Sequence, residues 1–142
     1  GLDGTGKMGK SEGNGIFLSD PDEVIRKKVM KAVTDSGPTE PNSPMPEVIA
    51  NLFTIMKAVS TPDTLQHFTD LWNRCEIRYG DMKKQLAEDI IKVVAPIRAN
   101  LADIVNDEAY LHKVVTSGAE RARESASKTV AEVREIMGIR PF

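Results

Sequence analysis

The spacing of apolar residues is the feature that most constrains the fold, because they recur every three or four positions over much of the chain. The longest run consists of Met82, Leu86, Ile90, Val93, Ile97, Leu101 and Ile104. This spacing places the side chains on one face of an α-helix, whereas a half-buried strand would need strict alternation. The pattern therefore predicts a long amphipathic helix that begins near Gly80.

Similar patterns predict helices before this one. Asp20 has the residue type of an N-cap and Pro21 suits the first helical position, so a helix should begin there. A second helix is expected over residues 46–59, and Thr61 caps a short third one. Residues 39–45 hold two prolines and read as a linker.

After the long helix, Asp107 is expected to begin another one, and Gly118 is expected to separate it from a last helix that Gly138 closes. The fold class that we predict is mainly α. It is a bundle of five or six amphipathic helices with almost no strand.

The composition excludes several other classes of protein. Hydrophobic residues make up 40% and charged residues 28%, as in ordinary soluble domains, and no apolar run approaches the ~20 residues that cross a bilayer. Cys75 is the only cysteine and there are two histidines, so neither an internal disulfide nor a metal site is expected. With no leader sequence visible, we expect a cytoplasmic protein without membrane contact.

The first fifteen residues differ from the rest, since they hold six of the ten glycines, interleaved with Lys7, Lys10 and Ser11. Such a segment is a loop that can approach a ligand closely. Residues 4–11 fit the spacing of a nucleotide-binding P-loop, G-x-x-x-x-G-K-S. That interpretation fails on context, because only three residues precede the motif and Gly13 and Gly15 would break the helix that must follow.

The segment Lys7-Met8-Gly9-Lys10-Ser11 resembles the mobile Lys-Met-Ser-Lys-Ser loop of class I aminoacyl-tRNA synthetases, with Gly9 in place of the first serine. The chemistry suits such a loop. Two ammonium groups three positions apart can close over the charge that develops on a departing pyrophosphate.

Other segments resemble the tryptophanyl group of this family. They are Gly1-Leu2-Asp3-Gly4, Glu12-Gly13-Asn14, Leu18-Ser19-Asp20-Pro21, residues 25–36 with their Ala-Val-Thr-Asp-Ser ending, residues 79–84 and residues 118–122. The tyrosyl enzymes share the lysine loop and are one alternative, although the Ala-Val-Thr-Asp-Ser ending favours tryptophan. The other alternative is a non-catalytic helical interaction module with a flexible Gly/Lys tail.

The resemblance implies an enzyme that forms tryptophanyl-adenylate from tryptophan and Mg²⁺-bound ATP and then charges tRNA(Trp). It implies that Lys10 holds the ATP phosphates, that Lys7 assists and that Met8 packs the closed loop. Ser11 and the amides around Gly9 would be further donors. Lys7 and Lys10 are thus the expected catalytic residues, and residues 7–11 are the expected ATP-binding loop.

The resemblance also implies an organisation. Residues 1–20 would end a Rossmann-type nucleotide-binding domain, residues 21–45 would form a connecting helix and linker, and residues 46–142 would form the helical anticodon-binding domain. The His-Ile-Gly-His-type motif is missing, since Phe68 follows His67 and Lys113 follows His112. We therefore expect the C-terminal part of a longer, homodimeric enzyme, which would be inactive by itself.

With a net charge of −2, any contact with tRNA must come from a local basic patch. The candidates for phosphate or anticodon contacts are Arg74, Arg78, Lys83, Lys84, Arg121 and Arg123. Trp72 is expected to lie in the core and not to serve as a stacking platform for bases.

Overall fold

The computed structural model describes residues 1–139, which contain five α-helices and no strand. The helices are α1 (Asp22–Met30), α2 (Glu47–Val59), α3 (Pro62–Asn73), α4 (Tyr79–Val105) and α5 (Glu108–Ile136). The prediction of a mainly α chain with five or six helices is confirmed. No helix within the described residues combines the length and the hydropathy that crossing a bilayer requires.

The chain divides into two compact units, Gly1–Ala99 and Asn100–Phe142, and the division falls inside α4. The first unit contains residues on both sides of position 45, where the sequence analysis places a functional boundary. The loop, α1 and the first part of α4 share this compact unit, so the structural division does not coincide with position 45. The functional boundary at position 45 stays a prediction.

The core of the first unit is built from one face of each of its helices. Its buried apolar residues are Leu2, Ile25, Val29, Ala32, Ile49, Leu52, Phe53, Met56, Phe68, Trp72, Met82, Leu86, Ala87, Ile90, Ile91 and Val94. Trp72 is 2% exposed, and its indole Nε1 donates to the carbonyl of Ser43 at 2.9 Å. The expectation that Trp72 belongs to the core is confirmed, and its polar edge is satisfied as buried indoles require.

The start of α1 differs from the prediction. Its N-cap residue is Pro21, and no side chain caps the helix. The Asp20 carboxylate instead accepts from the amide of Phe17 at 2.9 Å and from Lys28 Nζ at 2.6 Å. The prediction that Asp20 caps α1 is therefore wrong, because its side chain bonds through Oδ2 to the preceding Phe17 amide and to Lys28. By contrast, Thr61 caps α3 as expected, accepting from Thr64 N at 3.3 Å.

Ion pairs connect α1 to α4 in the first unit. The Arg26 guanidinium lies 2.7 Å from Glu88 and 2.6 Å from Glu23, and its contact with Glu88 uses two nitrogens. Arg98 of α4 contacts the Asp22 carboxylate and the Asp20 carbonyl at the start of α1. Two-point guanidinium contacts fix orientation as well as distance, so α1 is held in one alignment along α4.

The segment after α1 is held by the first turns of α4. Lys83 is 8% exposed, and its ammonium donates to the carbonyl of Ala32 at 2.7 Å and to Thr34 Oγ1 at 3.3 Å. The Tyr79 hydroxyl donates to Asp35 Oδ1 at 2.5 Å. Burial and this carboxylate raise the pKa of Tyr79 above its ordinary value, so the phenol stays protonated and keeps donating. The Ala-Val-Thr-Asp-Ser segment is thus fixed at three neighbouring positions.

In the second unit, α5 is one continuous helix from Glu108 to Ile136. Asp107 caps it as predicted, accepting from the amide of Tyr110 at 2.9 Å. The predicted break at Gly118 is wrong, since the helix runs through it. A glycine in a helix costs only about 1 kcal/mol relative to alanine, which a long helix tolerates.

Replacement of Gly118 by alanine is expected to stabilise the chain. A Cβ at this position meets no atom within 4 Å, so the variant gains helix propensity without a clash. We expect the helical circular dichroism to rise and the free energy of unfolding to increase by about 0.5–1 kcal/mol. Gly4→Ala is the control and should destabilise, since Gly4 has φ +89° and its Cβ would lie 3.1 Å from Val48. A loss of helicity in Gly118→Ala would contradict a continuous α5.

Candidate phosphate-binding loop

The glycine-rich loop is closed at its base by the backbone of Leu2. The Leu2 amide donates to the carbonyl of Asn14 at 2.9 Å, and the Leu2 carbonyl accepts from the amide of Val33 at 2.8 Å. The Leu2 side chain is 6% exposed and belongs to the core. The two ends of the loop therefore meet at the buried Leu2, which is also bonded to Val33 in the segment after α1.

The side chain of Asn14, 5% exposed, occupies the interior of the loop. Its Oδ1 accepts from the amide of Gly9 at 2.8 Å, and its Nδ2 lies 3.1 Å from the carbonyl of Lys7. Nδ2 also lies 3.0 Å from both carboxylate oxygens of Asp3 and 3.0 Å from Thr5 Oγ1. One amide group thus bonds to both sides of the loop.

Asp3 and Thr5 form a tight turn beside this amide. Asp3 Oδ1 accepts from the Thr5 amide at 3.0 Å and from the Thr5 hydroxyl at 2.7 Å. The bonds from Thr5, followed by the bond from Asn14, lower the pKa of the Asp3 carboxyl to about 2. Asp3 therefore stays ionised and remains an acceptor at neutral pH.

Helix α2 supports the loop from outside. Asn51 Nδ2 donates to the carbonyls of Gly4 and Thr5 at 3.3 and 3.2 Å. Gly4 adopts φ +89°, a left-handed conformation that favours glycine, and it passes close to Val48. The base of the loop is therefore packed on α2, and its tip, residues 7–11, extends from this base.

The lysines that the sequence analysis selects are at this tip. Lys7, Lys10 and Ser11 are exposed, and Met8 is 43% exposed. Among the described residues, neither lysine takes part in an ion pair. The structure thus places two ammonium groups on one exposed turn with their charges available to an anion.

One predicted donor is already used. The amide of Gly9 donates to Asn14 within the loop, so this one amide is engaged in this conformation, and phosphate binding by the amides around Gly9 stays a prediction. The side of Gly9 is also filled, since a Cβ there would lie 2.6 Å from Glu12 Cγ. Lys7, Lys10 and Ser11 are the remaining donors at the tip.

The basic residues predicted to contact tRNA are divided between the two units. Arg74 and Arg78 are exposed around the connection between α3 and α4, and Lys84 is exposed on α4, 3.7 Å from Asp81 Oδ1. Lys83 differs from them, because its buried ammonium is bonded to Ala32 and burial lowers its pKa. Lys83 is therefore a structural residue here, and its predicted role in tRNA binding is not supported.

Arg121 and Arg123 are exposed on α5, in the second unit. Neither forms an ion pair with another described residue. Their guanidinium groups are thus accessible on a helix of which no residue is buried.

The roles of Asp3, Thr5 and Asn14 were not predicted from the sequence. These residues are polar and small, they lie among glycines, and they occur on both sides of the lysines. That arrangement is the signal that could have indicated a loop closed by its own side chains. Across residues 1–139, no cluster of His, Cys, Asp and Glu side chains is placed to hold a metal ion.

Comparison with known families shows which class of protein carries this lysine loop beside a helical unit. The chain belongs to the class I tRNA synthetases for tryptophan and tyrosine, since the model of that family ("tRNA synthetases class I (W and Y)") matches residues 1–95. The resemblance found in the sequence is thereby confirmed.

Within this family, the chain is similar to curated tryptophan–tRNA ligases of several bacteria. The chain is 59% identical over 140 residues to the enzyme of Porphyromonas gingivalis. The match covers 99% of this chain and 43% of that protein. The chain is 35% identical to the enzyme of Treponema pallidum and covers 42% of it. The chain therefore spans less than half the length of these relatives.

A solved structure shows the same fold. The chain is similar to tryptophanyl-tRNA synthetase from Campylobacter jejuni, crystallised with ADP and tryptophan, with a TM-score of 0.74 and 25% identity. The similarity covers 97% of this chain and 42% of that one. The helical arrangement is thus shared with a synthetase over nearly all of the chain.

The protonation of Asp3 provides a test of the loop network. Its pKa of about 2 lies below the value of 3.8 for a free aspartate, so its stabilising contribution is complete above pH 3.8 and is lost as the pH falls towards 2. We expect an NMR titration of the Asp3 carboxyl carbon to show a midpoint near 2. Thr5→Val should raise this midpoint, because Thr5 supplies the largest effect. Thr54→Val, which removes a hydroxyl bonded only to Ala50, should leave it unchanged. A midpoint near 3.8 in the unmodified chain would contradict the network.

Proposed function

We propose that the chain is the lysine-loop and helical part of a tryptophan–tRNA ligase, which activates tryptophan with ATP and attaches it to tRNA(Trp). The observation that carries the proposal is the loop tip, where Lys7 and Lys10 are exposed and unpaired on a packed base. The identity of 59% to a tryptophan–tRNA ligase favours tryptophan over tyrosine as the substrate.

The chemistry follows from the charges at this tip. A carboxylate oxygen of tryptophan attacks the α-phosphorus of ATP, the bond to the bridging oxygen breaks, and pyrophosphate leaves with its Mg²⁺. Negative charge accumulates on the leaving group in the transition state. The ammonium groups of Lys10 and Lys7 neutralise this charge, with Ser11 as a hydroxyl donor.

The adenine and tryptophan pockets are proposed to lie in another part of the enzyme. His67 and His112 are exposed helix residues without the neighbours of a His-Ile-Gly-His motif. The ADP and tryptophan in the Campylobacter jejuni structure support ligands of these two kinds for the complete enzyme. We infer that the chain by itself does not activate tryptophan, that the complete enzyme is a homodimer and that it works in the cytoplasm.

Removal of the loop charges is expected to abolish most of the activation step. In the complete ligase, Lys10→Ala should lower kcat for ATP–pyrophosphate exchange by roughly 10²–10³-fold, as the loss of a charge-stabilising group does elsewhere. Lys7→Ala should have a smaller effect in the same direction.

The matched control is Lys57→Ala, because Lys57 is an exposed lysine of α2 outside the loop. Exchange rates in Lys7→Ala and Lys10→Ala that equal those of the control would refute the proposed function. The chain would then be a helical interaction module.

Contact with tRNA is proposed for exposed basic residues on α4, on α5 and in the connection between α3 and α4. Arg121 and Arg123 lie on α5, and Arg74, Arg78 and Lys84 lie in the first unit. Arginine and lysine bind phosphates largely through charge, and the affinity then depends on salt. Lys83 is left out, because its ammonium is buried.

Loss of the two α5 arginines should weaken tRNA binding. For the variant Arg121→Ala with Arg123→Ala in the complete ligase, we expect a higher Kd for tRNA(Trp), a reduced dependence on salt and an unchanged rate of ATP–pyrophosphate exchange. Lys128→Ala is the control, since Lys128 is already paired with Glu124 at 2.9 Å. Unchanged affinity and salt dependence would remove α5 from the tRNA interface.

A further inference from the structure

We propose that Asn14 is a positioning residue for adenylate formation, which sets the turn from which Lys7 and Lys10 project. The inference rests on the proposed function, because it assumes that these lysines act on the pyrophosphate of ATP. Asn14 touches no reacting atom in this account. It acts through the backbone of the loop.

The geometry shows how one side chain controls the turn. The Asn14 amide bonds to the Lys7 carbonyl at 3.1 Å and to the Gly9 amide at 2.8 Å, which are the two backbone groups on either side of Met8. A planar group that donates at one end and accepts at the other replaces a pair of backbone bonds across the turn. The direction in which the chain leaves residues 7 and 9 is therefore fixed by a residue five positions beyond Gly9.

The amide is itself held in place. Asp3 offers both carboxylate oxygens to Nδ2 at 3.0 Å, and the Thr5 hydroxyl lies at the same distance. Because the carboxylate can only accept, it selects the orientation in which Nδ2 faces Asp3 and Oδ1 faces Gly9. The backbone of Asn14 is also bonded, through its carbonyl, to the buried Leu2.

The set of bonds matches the donors, the acceptor and the length of an asparagine side chain. Aspartate has the same shape, but it cannot donate to the Lys7 carbonyl and would place a second carboxylate beside Asp3. Alanine would leave the Gly9 amide without its partner at a position where Asn14 is 5% exposed, and the Lys7 carbonyl would keep only its contact with the Thr5 hydroxyl at 3.1 Å. Glutamine carries the same amide, but its side chain is one methylene longer, so the amide no longer lies at the position from which it reaches the Lys7 carbonyl and the Gly9 amide.

The consequence for catalysis is specific to one step. Without the bridge, a loop so rich in glycine samples many conformations, and the lysines occupy the productive arrangement for a smaller fraction of the time. The charge that they stabilise develops only in the transition state, so the loss falls on kcat of activation. Transfer of tryptophan from a preformed adenylate to tRNA releases no pyrophosphate and does not need the lysines in this way.

The experiment compares Asn14→Asp and Asn14→Ala with the unmodified complete ligase. We expect kcat for ATP–pyrophosphate exchange to fall by roughly 10–100-fold, the KM for tryptophan to stay constant, and single-turnover transfer from preformed adenylate to be unchanged. Asn106→Ala is the matched control, because its amide bonds only to Ala102, at the end of α4. Equal losses in activation and transfer, or no loss in either, would overturn the positioning role.

A double-mutant cycle with Lys10→Ala separates positioning from general stability. If Asn14 acts by placing the lysine, its replacement should cost much less in the Lys10→Ala background than in the unmodified enzyme. An equal cost in both backgrounds would show a merely structural residue. If Lys7→Ala and Lys10→Ala have no effect at all, the proposed function fails, whereas an effect of the lysines without an effect of Asn14 refutes only this inference.

A measurement on the unmodified protein covers the case in which the variants do not fold. The Gly9 amide is bonded to Asn14 Oδ1, so its hydrogen exchange should be slower than that of the exposed loop amides at Lys10 and Ser11. Exchange of the Gly9 amide at the rate of these neighbours would contradict the bridge.

Discussion

The backbone of Leu2 is the connection on which the functional part of the structure depends. Its amide bonds to Asn14 at the far end of the loop, its carbonyl bonds to Val33 after α1, and its side chain is buried in the core. These contacts join three segments that are distant in the sequence. A loop that must move its tip during a reaction needs a base that does not move, and the burial of Leu2 provides one.

The same base is connected to α4 through the segment that follows Val33. Lys83 holds the carbonyl of Ala32, and Tyr79 holds the carboxylate of Asp35, so the strongly polar residues here bond inward. Polar residues in such a segment could suggest catalysis, yet their observed contacts join α4 to the segment that bonds to Leu2. Since α4 also carries Lys84, this one of the residues proposed to contact tRNA lies in the same compact unit as the lysine loop, whereas Arg121 and Arg123 belong to the second unit.

Much of the fold could be predicted from the sequence, because helix formation depends on local spacing. The apolar repeat of α4 and the Thr61 and Asp107 caps are local features of this kind. The errors at Asp20 and Gly118 are also instructive. Asp20 could cap a helix, but Lys28 and the Phe17 amide compete for it, and Gly118 is tolerated because the helix continues on both sides.

The candidate site was predictable only in part. The lysines are recognisable from their order in the chain, since charge on a flexible loop is a short-range pattern. The contacts that shape the loop are not, because Asn14 reaches Asp3 eleven positions away and Lys83 reaches Ala32 fifty-one positions away. Only the folded chain brings such pairs together, and the burial of Lys83 shows how a basic residue that looks accessible in the sequence becomes structural.

The absence of a side chain at Gly9 has a steric consequence. A Cβ there would lie 2.6 Å from Glu12 Cγ, so a serine at position 9 requires the glutamate to adopt another rotamer or to be replaced. The two positions are therefore sterically coupled, and a side chain at position 9 fits only when the residue at position 12 is shorter or turned towards solvent.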